Sequence, residues 1–390
     1  MRTLLIQPGA RHGYALARFL QKAGALQRLY TDFAVSEGTL RHRLLSAAAR
    51  RHPRMESLSR RVVAGVPGSA VRSLSPSALF AKARAPNQPE RWKFLSRDLR
   101  EADVIYSQYF TGGLQFDELV AHGAKFVSDV FIMPSAHRIV NREVARFPDW
   151  RETPFSPDQA TLLDSVSRAM IMQSDGLFCP SQSVIDDVVA YDPAARAKCR
   201  LVRYGSSFTF SQPNVPIPKR VLFAGSLQLR KGPQYLALAA AQIARIDPSV
   251  QFVFAGGVSP AAAEQLRAPN IELLGHLSRE RMGAEFLRAD ILAFPSLAEG
   301  SAGVVLEAMS AGLPIVATRE AGVDFRDGES GIVVPPADSE ALAAAILAIV
   351  GDRPRRDAMA RSARAEFQAY DEAAWGAAFV GALREFSRDG

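Results

Sequence analysis

The sequence predicts an α/β chain of two domains, each a parallel sheet covered on both faces by helices. Three observations carry this. Short apolar runs alternate with helix-length amphipathic stretches nearly from end to end, the rhythm of strand–helix–strand units. The strand-like runs are almost wholly apolar, as strands buried on both faces are. At 390 residues, the chain exceeds what a single core usually serves.

TLLIQP (3–8) reads as the first strand and Tyr14–Gly24 as a helix stopped by glycine. Strand-like runs follow at LQRLYTDF (26–33), DVIYSQYF (103–110), KFVSDVF (125–131) and GLFCPS (176–181). Residues 38–98 break the rhythm with a basic, proline-punctuated insertion, expected to hold two or three helices and a loop at PNQPE (86–90). The proline-rich stretch at 205–218 marks a linker between a first domain, 1–204, and a second, 219–366. In the second domain RVLFAGSL, VQFVFAGG, IELLGHL, DILAFPSL, PIVATRE and GIVVPP alternate with helical segments. Residues 367–390 read as a last helix that could cross back to the first domain. The cleft between two such domains is the default place for a site.

Composition narrows the class. Hydrophobic content of 48% with 22% charge is that of an ordinary globular chain and excludes bulk disorder. Cys179 and Cys199 form no C-x-x-C pair and fit a reducing compartment. No apolar run reaches the ~18 residues of a spanning helix, so the expectation is a soluble, cytoplasmic protein. Residues 41–100 hold 14 Lys/Arg against 3 Asp/Glu, more than the whole net charge of +7. Such an excess suits an anionic membrane surface or an acidic substrate, and equally a solvated arginine-rich face. Without a zinc-finger or aromatic RNA-binding pattern, no nucleic-acid partner is expected.

Two stretches carry chemistry. PSLAEGSAGVVLEAMSAGLP (295–314) leaves a strand, passes Glu299, and enters a helix expected from about Ala302 to Ala311, with Ser301 as N-cap and Gly312 as stop. Glu299 thus lies outside the carboxyl end of a strand, where open α/β sheets bind ligands. Gly300, Ser301, Ala302 and Gly303 put backbone N–H groups at a helix start, an anion site. Glu307 sits among apolar residues and needs hydrogen-bond donors, which a ribose diol would supply. The E-x7-E spacing alone also fits an exposed helical glutamate beside a surface loop. It fits a glycosidase-like carboxylate pair as well, whose roughly 5–9.5 Å separation sequence spacing does not fix. The second stretch, GSLQLRKGPQYL (225–236), brings Gly225, Ser226, Arg230 and Lys231 to a turn before a helix opened by Pro233. A cation pair there suits a diphosphate or is a solvated loop. It is neither a Walker A loop nor a G-x-G-x-x-G fingerprint. No D-x-D, H-x3-H or G-x-S-x-G occurs, so neither a metal nor a nucleophilic triad is expected.

GSLQLRKG (225–232), ADILAFPSLAEGSAGVVLEAMSAGLPIVAT (289–318), GIVVPPADSEALAAAI (331–346) and SDGLFCPSQSVIDDVV (174–189) together resemble the retaining nucleotide-sugar glycosyltransferases of the family 4 type. The resemblance is dense over 174–350 and topological over 1–170. It implies two Rossmann-like doubly wound domains facing a cleft, the GT-B fold, with a nucleoside-diphosphate sugar held mainly by the second domain. Glu307 would accept from the ribose hydroxyls, and Glu299 would reach the donor sugar. Lys231 and Arg230 would hold the diphosphate with the N–H groups of Ala302–Val304, and Gly275 would border the nucleotide. The acceptor, a glycan or lipid-linked saccharide, would lie near Gly9–His12, and the basic 41–100 segment would reach it at the cytoplasmic face of a membrane. No metal or other cofactor is implied.

Three positions depart from the family pattern. Ser226 stands where relatives often carry Arg, EGSA places its glycine one residue late at Gly303, and the usual catalytic His after the KFVSDVF strand is replaced by two candidates, Asp129 and His137. These departures leave open a non-catalytic binder of nucleotide sugar or anionic lipid, or an epimerase or hydrolase on the same frame.

Overall fold

The computed structural model describes residues 1–39, 42, 43, 47, 61–73, 93–108, 116–206, 208–212 and 214–387. In the first domain the apolar runs become β1 (Thr3–Ile6), β2 (Leu26–Thr31), β3 (Val35–Ser36), β4 (Val62–Val63), β5 (Val71–Ser73), β6 (Val104–Ser107), β7 (Lys125–Asp129), β8 (Gly176–Cys179) and β9 (Cys199–Leu201). Seven of these form one parallel sheet in the order β5-β2-β1-β6-β7-β8-β9, and β3 pairs with β4. The second domain contributes β10 (Arg220–Ala224), β11 (Gln251–Ala255), β12 (Ile271–Gly275), β13 (Ile291–Phe294), β14 (Ile315–Ala317) and β15 (Gly331–Val333). Their order is β12-β11-β10-β13-β14-β15, again all parallel. In each sheet the chain starts at the centre, winds outward, then returns to wind the other way. The reversal falls between β1 and β6 in the first sheet and between β10 and β13 in the second. Loops leaving such a switch point diverge and open a crevice at the carboxyl ends of the strands.

The insertion departs from expectation. Where only helices were expected, its described part supplies β4 and β5, and β5 extends the main sheet beside β2. Arg61, from the same segment, bonds both oxygens of Asp32 at 2.8 Å. The PNQPE loop lies outside the described residues, as does most of the basic 41–60 run.

The two domains are joined by more than their linker. Glu143, buried on the helix Ala136–Arg146, accepts from Tyr235 Oη at 2.7 Å and Gln234 Nε2 at 3.1 Å in the second domain. Trp150 of the first domain packs into the core of the second. The last helix, Glu372–Arg384, returns to the first domain, where Trp375, Phe379, Val380 and Leu383 join its core. Arg18 and Glu372 form an ion pair at 2.5 Å beside that seam. No helix among the described residues is long and apolar enough to cross a membrane.

The return of the last helix rests on Phe379, which is fully buried between Tyr106 and Phe178. Phe379→Ala is expected to lose about 3–5 kcal/mol of stability, the usual cost of a large cavity in a core. Urea unfolding monitored by circular dichroism measures it, and an unchanged midpoint would contradict this packing.

Candidate active site

Both motifs emerge at the switch point of the second sheet. After β10 the chain makes a turn of 3-10 helix at Leu229–Lys231, and Pro233 opens the helix Pro233–Ile246. After β13 it runs through Glu299 into the helix Gly303–Ala311. The two loops touch backbone to backbone. Gly232, at φ +76°, lies so close to Pro295 that a Cβ would stand 2.0 Å from its carbonyl oxygen. Leu297 N–H donates to Arg230 O at 2.8 Å, and the Arg230 guanidinium donates to Ala298 O.

This contact assembles the charges. Glu299 Oε1 is 3.0 Å from Arg230 Nη1 and 3.7 Å from Lys231 Nζ. Partial burial pulls the Lys231 ammonium down from its usual range, opposed by the Glu299 charge and reinforced by that of Arg230. Lys231, Glu299, Ser301, Ala302, Gly303, Val304, Glu307 and Gly225 line one cavity of about 250 Å³. It adjoins a second of about 760 Å³, in which Ser301, Gly303, Glu307, His276 and Arg279 face His12, Gly13, Tyr204 and Trp375. The second cavity thus lies between the domains.

The helix start differs from the sequence expectation. Ala302, not Ser301, occupies the N-cap, and no side chain caps the helix. The Ala302 N–H is taken by Ala321 O at 2.9 Å, while Gly303 and Val304 open the helix beside the cavity. An uncapped helix start leaves N–H donors and the positive end of the dipole facing the cavity, and two cations stand nearby. Such an array can hold a doubly charged anion.

Glu307 lies about one turn beyond Gly303 along the helix, at roughly 3.6 residues per turn. Among the described residues nothing hydrogen-bonds its carboxylate. Burial raises its pKa from 4.5 to about 7, with the Arg279 charge pulling the other way. A ligand that donates hydrogen bonds would relieve that burial.

The remaining candidates distribute differently. Asp129 ends β7 in a buried polar cluster, its oxygens accepting from Tyr204 Oη at 2.6 Å and Gln108 Nε2 at 2.9 Å. Burial raises its carboxyl, while Tyr204, Arg11 and Gln108 draw it back. His137 is buried and lines a cavity of the first domain together with Asp129. Its Nδ1 lies 3.1 Å from Pro134 O, and its Nε2 stands at ion-pair distance, 3.1 Å, from Asp164, off the line of a hydrogen bond. Gly9 does not present its N–H to the cleft, because it donates to Asp32 at 2.9 Å. Ser226 is exposed, its Oγ 3.4 Å from Gln228 Oε1. Gly275 ends β12 at φ +66°, accepts from Gly256 N–H at 2.8 Å, and delivers His276 to the larger cavity.

Sequence reasoning reached His12 only as the end of the Gly9–His12 loop and missed Gln108, Tyr204, Arg279 and Trp375. Gln108 follows β6, one of the two strands that flank the switch point of the first sheet, so the strand-end rule that found Glu299 would have found it. Tyr204 and Trp375 carried no local mark. His12 has an edge open to the cavity but is crowded by Tyr204 and Trp375, with ring centroids at 4.8 and 5.0 Å. That crowding lowers its imidazole to about 4, and the Arg11 charge adds to the effect.

Residues 218–352 match the family model described as Glycosyl transferases group 1. This segment contains both switch-point loops. The whole fold is of the GT-B type. It aligns with the sucrose-phosphate synthase of Thermosynechococcus elongatus over 99% of this chain and 98% of that one, with a TM-score of 0.65 and 18% identity. The Anabaena protein HepE, solved with UDP and glucose, aligns over 99% and 100%, with a TM-score of 0.62 and 16% identity. In sequence, the chain is 26% identical to glycogen synthase of Mycobacterium tuberculosis (strain H37Rv) over 261 residues, 64% of this chain and 62% of that enzyme. It is 32% identical to D-inositol 3-phosphate glycosyltransferase of Corynebacterium diphtheriae over 160 residues, 37% and 38% of the two chains. The matches therefore span less than two thirds of these relatives' lengths.

The raised Glu307 carboxyl makes stability depend on pH. A carboxyl whose folded pKa exceeds its unfolded value stabilises below the unfolded value, and this contribution is lost as pH rises through the folded one. The window runs from 4.5 to about 7. Glu307→Gln, which cannot ionise, is expected to match the wild type near pH 4.5 and exceed it at pH 8. The bound is ~3 kcal/mol, from ~1.4 kcal/mol per pH unit. Thermal melts of both proteins across that range measure it, and a pH-independent difference would refute the burial of Glu307.

Proposed function

We propose that the protein is a retaining glycosyltransferase of the family 4 type, moving a sugar from a nucleoside-diphosphate donor to a hydroxyl of a glycan or lipid-linked acceptor. The observation that carries this reading is the convergence of Lys231, Glu299, Glu307 and an uncapped helix start on one cavity. A phosphate pair fits the cations and the helix start. A ribose diol fits the half-buried Glu307, whose carboxylate has no hydrogen-bond partner among the described residues, and a sugar hydroxyl fits Glu299. The group 1 segment and the UDP and glucose bound by HepE support the same reading.

The chemistry needs no protein nucleophile. The acceptor hydroxyl attacks the anomeric carbon from the face that the diphosphate is leaving, and its proton passes to the departing phosphate oxygen. The C–O bond to phosphate breaks as the new glycosidic bond forms, and the anomeric configuration is retained. Charge growing on the diphosphate is met by Lys231, by Arg230 and by the N–H groups of Gly303 and Val304, so a metal-independent reaction is expected. Asp129 is the first-domain candidate for the acceptor side. The proposed setting is cell-envelope or exopolysaccharide synthesis at the cytoplasmic face of a membrane, for which the support is the basic 41–100 segment.

A melting panel of UDP, GDP and ADP tests the reading, because a ligand that binds only the folded state raises its melting temperature. One of them is expected to stabilise the wild type, and its 2′,3′-dideoxy analogue to bind about tenfold or more weakly. Glu307→Ala should erase that difference, while Lys231→Ala should weaken both ligands by a similar factor. A wild type indifferent to all three nucleotides would overturn the reading. For the membrane, neutralising Arg41, Arg43, Arg50, Arg51 and Arg54 is expected to reduce sedimentation with vesicles of anionic lipid. Unchanged sedimentation would leave that run a solvated face.

A further inference from the structure

The first domain holds a cavity of about 780 Å³ that the donor reading does not use. Its size falls in the ~300–1,000 Å³ range that encloses drug-sized ligands. One wall is the helix Pro157–Gln173, 17 residues long, of which only Ile171 is buried. That helix turns Leu163, Val166 and Met170, at intervals of three and four, into the cavity. Phe131, Phe155 and Val140 face them from across the space. Leu162, Leu163, Phe131 and Phe155 are exposed at 63%, 36%, 37% and 36%. Met170 also packs against the core, but Leu163 and Val166 join no core cluster among the described residues, and a helix that turns such residues into a cavity presents them to a ligand.

The wall is fixed in place. Asp164 on this helix receives Arg138 at 2.7 Å and Tyr191 Oη at 2.8 Å, with His137 Nε2 at 3.1 Å. A full capping box of Ser156 and Gln159 anchors its first turn. The cavity also has a polar lining. Gln108 is 95% buried there, being 5% exposed, and gives its Nε2 to Asp129, while among the described residues its Oε1 has no hydrogen-bond partner. A buried acceptor left open among them is a place for a ligand's donor. Arg230 and Gln228 of the second domain also line the cavity. Since Arg230 also pairs with Glu299, the cavity adjoins the proposed donor-sugar position.

We infer that this cavity binds the acceptor, and that the acceptor is a small amphiphilic alcohol. Its hydroxyl end donates to Gln108 Oε1 beside Asp129, and its apolar body lies along Leu163, Val166 and Met170. The inference rests on the transferase reading for the word acceptor, and it narrows that reading from a glycan in general to a hydroxyl carried by an apolar group.

Displacement of 1-anilinonaphthalene-8-sulfonate tests it, with octyl β-D-glucoside and methyl β-D-glucoside as competitors below the micelle-forming concentration. The octyl compound should displace the dye at a concentration at least about tenfold lower, because its chain removes apolar surface from water. Val166→Asp and Leu163→Asp should each shrink that advantage severalfold. Both residues lie outside the core, and circular dichroism verifies that each variant folds. Equal displacement by the two glucosides overturns the inference. So does an octyl advantage that survives both substitutions, or displacement seen only once micelles form. The nucleotide melting panel on the wild type separates two failures. A nucleotide shift without an octyl advantage sinks the acceptor inference alone. An octyl advantage that both substitutions shrink, without any nucleotide shift, supports the apolar cavity and sinks the transferase reading.

Discussion

The site depends on one close backbone contact. Gly232 presses against the Pro295 carbonyl, where no side chain fits. This contact joins the loop after β10 to the loop after β13, two segments more than sixty residues apart. With Ser296 Oγ and Leu297 N–H both on Arg230 O, the loops behave as one rigid piece. Lys231, Arg230 and Glu299 are therefore positioned by main chain and not by flexible side-chain choice. The first domain braces the same piece. Glu152 accepts from Leu229 N–H at 2.8 Å, and Glu143 holds the start of the following helix through Gln234 and Tyr235. On the other side Gly300 lies so near Phe131 that a Cβ would sit 1.9 Å from its carbonyl oxygen. The two walls of the cleft meet along these contacts.

Electrostatics explains why such a piece suits a ligand more than it suits the empty protein. Two cations answer one carboxylate at Glu299, so the cluster carries a surplus positive charge before the helix dipole is added. Lys231 is held below its usual range by partial burial, and Glu307 is raised to about 7 for the same reason. Each shift measures a charge that lacks full compensation inside the protein. A ligand bearing negative charge at one end and a diol at the other relieves both, which fits the tendency of functional sites to store such costs.

How much of this was legible in the sequence follows from the range of the forces involved. The second domain read well, because a strand end, a cation pair, small residues and a helix start follow one another along the chain. Glu299 and Glu307 could be placed from local pattern and the strand-end rule alone. The misreadings involve partners from far away. Ser301 has the composition of an N-cap, but the N–H of Ala302 is captured by Ala321, which moves the cap by one residue. The β5 edge strand hid in a basic insertion, because three half-exposed or exposed residues, Val71–Ser73, give no periodic pattern to read.

Arg230 belongs to both sides of the cleft. Its guanidinium pairs with Glu299, while the side chain lines the cavity of the first domain. On the proposed reading it stands between donor sugar and acceptor hydroxyl, and the two subsites are not independent. Filling the apolar cavity desolvates Arg230, which strengthens its attraction to Glu299 and to any nearby phosphate, since charge interactions grow as water leaves. By linkage, a donor that immobilises Arg230 must favour the acceptor to the same degree. Ser226, in the same loop, supplies no charge. On the proposed reading more of the burden of a diphosphate then falls on Lys231 and Arg230, and of that pair Arg230 also borders the cavity of the first domain.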